Sequence, residues 1–165
     1  MTKIKINLWK WLTWLLGIVI LIMILTGFIF YRAGSPKRSN QKQIQQLAFQ
    51  KTPITQIKAY YHLSRDKVVS NAVLGVSRSH KKYYFIFIPS KKKAYLYPSK
   101  KGYSESQVKK LFSSDHQSYA NEQLNLGWYH NKPVWEISYR KPNGRYGYAL
   151  YDYKTGEEIS YIDNL

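Results

Sequence analysis

From Trp11 to Tyr31 the chain runs for 21 positions with no ionisable side chain except the terminal tyrosine. A helix rising about 1.5 Å per residue makes this run roughly as long as the 30 Å hydrocarbon core of a bilayer. Trp11 and Trp14 stand at its front and Phe28, Phe30 and Tyr31 at its back, where ring side chains favour the headgroup layer. These five residues are the expected membrane anchors. Ala33-Gly34-Ser35-Pro36 then predicts an interruption, because Pro36 lacks the amide that a continuing helix needs. Ile44, Leu47 and Ala48 recur at i, i+3 and i+4 among glutamines, which predicts a second helix over 39–50, stopped by Pro53.

Alternation with a period of two follows, and it predicts strands over 54–63, 68–77, 82–88 and 93–97. Tyr83-Tyr84-Phe85-Ile86-Phe87-Ile88 is apolar on both faces, so its strand should be covered on both sides. Ser104-Glu105-Ser106-Gln107 has the form of a capping box, and Val108, Leu111 and Phe112 give the helix behind it an apolar stripe. Four more strands are predicted over 121–130, 133–140, 145–152 and 157–163. Hairpin residues Asn131-Lys132, Pro142-Asn143-Gly144 and Lys154-Thr155-Gly156 join them. Trp135, Ile137 and Tyr139 share one side of their strand and should meet Val108, Leu111 and Phe112 in a core.

Both halves thus repeat one order, a helix and then an antiparallel meander. A shift of 63 positions places Phe87-Ile88 on Leu150-Tyr151 and Leu96 on Ile159. The expected class is α+β: an N-terminal transmembrane helix followed by two tandem modules, each a helix packed on an antiparallel meander sheet. The expected divisions are a stub 1–10, a span 11–31, a linker 32–38, a basic module 39–102 and a second module 103–165. One continuous α+β domain is the alternative.

A cleaved signal peptide is the rival reading of the apolar run. The run is longer than the apolar core of about 7 to 15 residues that such a signal carries. Tyr31-Arg32-Ala33 also puts a bulky ring where cleavage wants a small residue, and the absence of cysteine excludes lipoprotein processing. Basic residues flank the run about equally. A lysine-bearing stub of ten residues is the usual cytoplasmic front of a signal anchor. The N-terminus is therefore expected in the cytoplasm and the modules outside.

The formal net charge is +17, and it is unevenly placed. Residues 39–112 carry fifteen Lys/Arg against Asp66 and Glu105, whereas 113–165 carry five against seven acids. Such asymmetry points the first half at something anionic. Lys81, Lys82, Lys91, Lys92, Lys93, Lys100 and Lys101 are the candidate contacts, to headgroups or to an anionic wall polymer. Nucleic acid would feel the same field. It is not an expected partner, because a body tethered outside a membrane seldom meets it.

Catalytic patterns are missing. The four histidines lie too far apart for a helical metal pair, no G-x-S-x-G or phosphate-cradling glycine loop occurs, and the nine acids are dispersed. Zero cysteines exclude a thiolate metal site. The chain is expected to be no enzyme and to take no cofactor, metal or small-molecule substrate.

Ser104-Glu105-Ser106-Gln107-Val108, Trp135-Glu136-Ile137 and Asp152-Tyr153-Lys154-Thr155-Gly156-Glu157 together resemble the PepSY module. Ser104, Trp135, Glu136, Asp152, Thr155 and Gly156 are the matching positions. With the anchor and an upstream helix-and-sheet unit, the whole chain resembles the TseB-like (YpmB-type) cell wall elongation regulators of Gram-positive bacteria. The resemblance implies tandem cystatin-like folds outside the membrane. It also implies partnership with a penicillin-binding protein or another membrane-bound wall-synthesis protein. A second function it carries is PepSY-type inhibition of an extracytoplasmic peptidase.

Overall fold

A computed structural model describes residues 8–33, 35–117, 119, 121–163 and 165. Most of the expected stub 1–10 lies outside these residues. Helix α1 (Leu8–Ala33) contains the stretch Trp11–Ile29, which is long and apolar enough to cross a membrane, at a mean hydropathy of 2.6. No part of that stretch is buried within the protein. Trp11, Trp14 and Phe28 are exposed. Phe30 and Tyr31 belong to α1, but their side chains lie outside the described residues.

Of the expected linker 32–38, residues 32–33 and 35–38 are helical, and Gly34 lies outside the described residues. Helix α1 reaches Ala33, and α2 (Ser35–Lys51) already includes Pro36. Proline is tolerated in the first turn of a helix, where its missing amide would have had no partner. Pro36 therefore lies inside the start of α2.

The chain divides into residues Met1–Asn40 and Gln41–Leu165, each a compact unit. The second unit holds two four-stranded antiparallel meanders. The first meander is β1 (Ile54–Arg65), β2 (Val68–Ser77), β3 (Lys82–Ile88) and β4 (Lys93–Pro98). Helix α3 (Glu105–Asp115) leads to the second meander: β5 (Gln123–Tyr129), β6 (Lys132–Arg140), β7 (Tyr146–Asp152) and β8 (Glu158–Ile162). This is the α+β class with tandem helix-and-meander modules that the periodicity predicts.

Strand β3 is buried on both faces. Phe85 pairs with Val73 and Leu96 and, with Ile54, meets Ile44 and Ala48 of α2. Tyr84, Ile86 and Ile88 face the opposite way into the main core. Burying one large apolar side chain is worth about 1.5–3 kcal/mol, so a strand that buries both faces anchors the sheet.

The main core joins both sheets. Val108 and Phe112 of α3 meet Trp135, Ile137 and Tyr139 of β6, and Tyr61, Ala72, Tyr84 and Ile86 of the first sheet belong to the same cluster. Strand β5, an edge of its own sheet, runs against β1 and β2. At Gly127 a Cβ would lie 2.3 Å from the Leu63 Cβ and 2.5 Å from the Ser70 Oγ, so only glycine permits this approach. The Trp128 amide then donates to Ser70 Oγ at 2.9 Å, and the Trp128 ring stacks on Tyr95 at 4.1 Å. Leu63 continues the contact by packing on Val134 and Leu150.

Candidate functional site

Five of the six motif residues gather around a short segment, Gly102-Tyr103, between the first sheet and α3. Ser104 is the N-cap of α3. Its backbone amide donates to Gln107 Oε1 at 2.9 Å, and its Oγ accepts from the Gln107 amide, which completes the capping box. The Trp135 indole donates to the Tyr103 carbonyl at 2.8 Å, and the Tyr103 amide donates to the Tyr153 carbonyl at 2.7 Å.

Asp152 organises the turn opposite. It accepts from the Lys154 amide at 2.8 Å and the Thr155 amide at 3.3 Å, and Lys132 Nζ lies 3.0 Å from its other oxygen. Burial works against its charge. The Lys132 ammonium and the two amides outweigh that penalty and hold its carboxyl below the usual carboxylate range. Thr155 Oγ1 accepts from the Glu157 amide, and Gly156 follows at φ +73°. The Tyr103 ring fills the space there, 2.4 Å from where a Cβ would stand.

Glu136 lies apart from this group. It forms a salt bridge with Arg65 of β1, whose guanidinium also lies 3.8 Å over the Tyr148 ring. The motif residues thus hold the start of α3 and tie one sheet to the other. Their polar atoms are engaged with the protein's own backbone and side chains, an arrangement built for positioning.

The seven candidate lysines do not form one cluster. In the β3–β4 pair, Tyr83 lies opposite Pro98 and Ile88 opposite Lys93. Lys81 and Lys82 therefore share one end of the hairpin with Lys100 and Lys101, while Lys91, Lys92 and Lys93 occupy the other end. All seven are exposed. The separation along the chain hid this grouping, since strand pairing alone brings Lys82 beside Lys100.

Each end opens beside a cavity. The first, of about 680 Å³, is lined by Lys82, Lys100, Lys109, Glu105, Tyr61 and Tyr84, among others. Tyr61 donates to Glu105 Oε2 at 3.3 Å, and Lys109 Nζ lies 3.2 Å from Oε1 of the same carboxylate. Burial raises the pKa of both tyrosines, Tyr84 to about 12, so neither offers a phenolate near neutral pH. The second cavity, of about 350 Å³, lies among Arg65, Lys91, Trp128, Tyr129, His130 and Asn131. Lys91 Nζ donates to Asn131 Oδ1 across it at 3.4 Å.

Sequence reasoning missed three participants. Tyr103 and Arg65 carry no motif of their own, since their partners lie tens of residues away. His116 likewise carries no motif; it stacks on Tyr161 at 3.8 Å and is hydrogen-bonded to Glu158, which also accepts from the Tyr151 hydroxyl at 3.1 Å. Among the described residues no group of three or more His, Asp or Glu is placed to hold a metal ion.

No family model matches the sequence, and no curated protein matches it. A solved structure does share the architecture. The fold is that of the YpmB protein from Bacillus subtilis. The two superpose with a TM-score of 0.62 over 73% of this chain and 94% of that one. At 20% identity the likeness is one of fold.

Proposed function

We propose that this chain is a single-pass membrane protein with its N-terminus in the cytoplasm and its body outside. It regulates cell wall elongation by binding a penicillin-binding protein or another membrane-bound wall-synthesis protein, without catalysing a reaction. The supporting observation is a pairing: an apolar stretch of 19 residues, none of it buried inside the protein, joined to a body with the YpmB fold. The sequence resemblance to the wall elongation regulators supplies the biological role.

Tethering explains why a modest contact suffices. Two proteins anchored in one membrane meet at a raised effective concentration, so the affinity of the contact itself need not be high. The engagement of the motif residues with the protein's own backbone and side chains leaves the outer faces and strand edges to meet the partner.

In-cell crosslinking of the tagged full-length chain, followed by labelling with a fluorescent β-lactam, tests this reading. An adduct carrying both tag and label is expected, together with loss of the body when protease is added to intact protoplasts. Adducts confined to cytoplasmic proteins, or a body untouched by the protease, would overturn it. An adduct with an extracytoplasmic peptidase in place of a labelled synthase would turn the reading to peptidase inhibition.

A further inference from the structure

Residues 67–104, which include β2, β3 and β4, contain nine Lys/Arg and not one Asp or Glu. The second half of the body treats its charges differently. There Lys109, Lys132 and Lys141 each face a carboxylate of the chain, as does Arg65 across the sheets. Among the described residues none of the seven hairpin lysines does so; Lys91 alone has a side-chain hydrogen bond, to the neutral Asn131. Their charge is unused internally.

Keeping an edge strand from pairing with another copy is one task for lysine, and it accounts for Lys93 on β4. It does not account for four lysines at one end of the β3–β4 hairpin and three at the other, with Ala94, Tyr95, Leu96 and Tyr97 between. Six residue steps lead from Lys82 to Ile88, so the two groups stand about 20 Å apart at the usual strand rise. That exceeds the Debye length of about 8 Å at physiological salt, and each group acts on its own part of a ligand. A small anion meets one group only. A long one meets both, and its second contact is intramolecular.

We infer that the β3–β4 edge is a two-ended docking site for an extended polyanion of the polyphosphodiester type, which runs along β4 and engages a lysine group at each end. Each of the two cavities is lined by a single carboxylate, Glu105 beside Lys82 and Asp66 beside Lys91, and Asp66 lies 3.9 Å from His130 Nε2. Glu105, the nearest acid at the first end, is already held by Lys109 and Tyr61. This site is independent of the partner proposed above and stands if that partner proves to be another protein.

Inorganic polyphosphate is the probe. Full-length protein in zwitterionic micelles is titrated with tripolyphosphate and with long-chain polyphosphate at low and physiological salt. The long chain is expected to bind about tenfold or more tightly per phosphate, because only it spans both groups. Its affinity should fall steeply with salt. Replacing Lys91, Lys92 and Lys93 with alanine, or Lys81, Lys82, Lys100 and Lys101, should each reduce the long chain to near the short probe, with the thermal melt unchanged. Equal affinity per phosphate for the two probes on the unmodified protein overturns the proposal, as does long-chain affinity indifferent to both replacements. Nanodiscs separate polymer from lipid. Binding retained in discs containing phosphatidylglycerol supports the polymer site, and binding abolished there assigns the lysines to headgroups and overturns it.

Discussion

The indole nitrogen of Trp135 donates to the backbone carbonyl of Tyr103, 32 positions earlier in the chain, at 2.8 Å. One bond thus fixes the centre of the second sheet to the segment that leaves the first. The ring is fully buried and meets Tyr61 and Tyr84 edge-on, with centroids 5.3 and 5.5 Å away. Edge-to-face contacts of this kind add to plain burial because the positive ring edge meets the negative face.

Trp135→Ala is expected to cost about 3–5 kcal/mol, the range for removing a buried large ring. Trp135→Phe keeps much of the apolar volume but leaves the Tyr103 carbonyl without its donor, and should cost about 1–3 kcal/mol. Urea midpoints followed by far-ultraviolet circular dichroism measure both. Alanine melting with the parent would remove the ring from the core.

Arg65 and Glu136 form a cross-sheet pair with side chains 17% and 13% exposed. Either single change to leucine leaves a charge with little water and no partner, and should cost about 2–4 kcal/mol. The double change to leucine removes both charges and is expected to cost less than either single one. Arg65→Lys is not neutral, because an ammonium loses the planar stack on Tyr148. A double-mutant cycle from urea midpoints tests all of this; additive single effects would sever the pair.

Gly127→Ala places a methyl group against the Leu63 Cβ and the Ser70 Oγ at distances no real contact tolerates. Backbone must move where the sheets meet, and overpacking of this sort costs about 1–3 kcal/mol. The same variant should accelerate hydrogen exchange at the Trp128 amide, since its acceptor is Ser70 Oγ. Gly17→Ala in α1, where nothing lies within 4 Å, serves as the silent control.

Stability should fall at both ends of the pH range. The carboxyl of Asp152 titrates below its ordinary value when folded, so its contribution is complete above about pH 4 and lost as pH falls through the folded value. Asp152→Asn should flatten that acid limb, read as urea midpoints at pH 6 and pH 3. Burial raises Tyr61, Tyr84, Tyr139, Tyr151 and Tyr153 instead. Their contribution is complete below about pH 10 and lost as pH climbs through the folded values. Tyrosinate absorbance should therefore rise in two steps, the second coinciding with unfolding. A single step without unfolding would contradict the burial of these rings.

The elements are legible along the chain because their causes are local. Ser104 and Gln107 cap α3 within one turn, the unbroken apolar run from Tyr83 to Ile88 sets β3 between two layers, and Gly156 at positive φ shapes its hairpin. Pro36 shows the limit of even local reasoning: its missing amide is equally compatible with ending a helix and with beginning one. Tertiary structure decided what the elements do to one another. The approach of Gly127 to Leu63, the meeting of Arg65 with Glu136, and the division of the lysines between two hairpin ends each depend on pairing distant segments. Periodicity tells a residue which face it occupies but not what lies across from it; that is fixed only when the faces close on one another and exclude water.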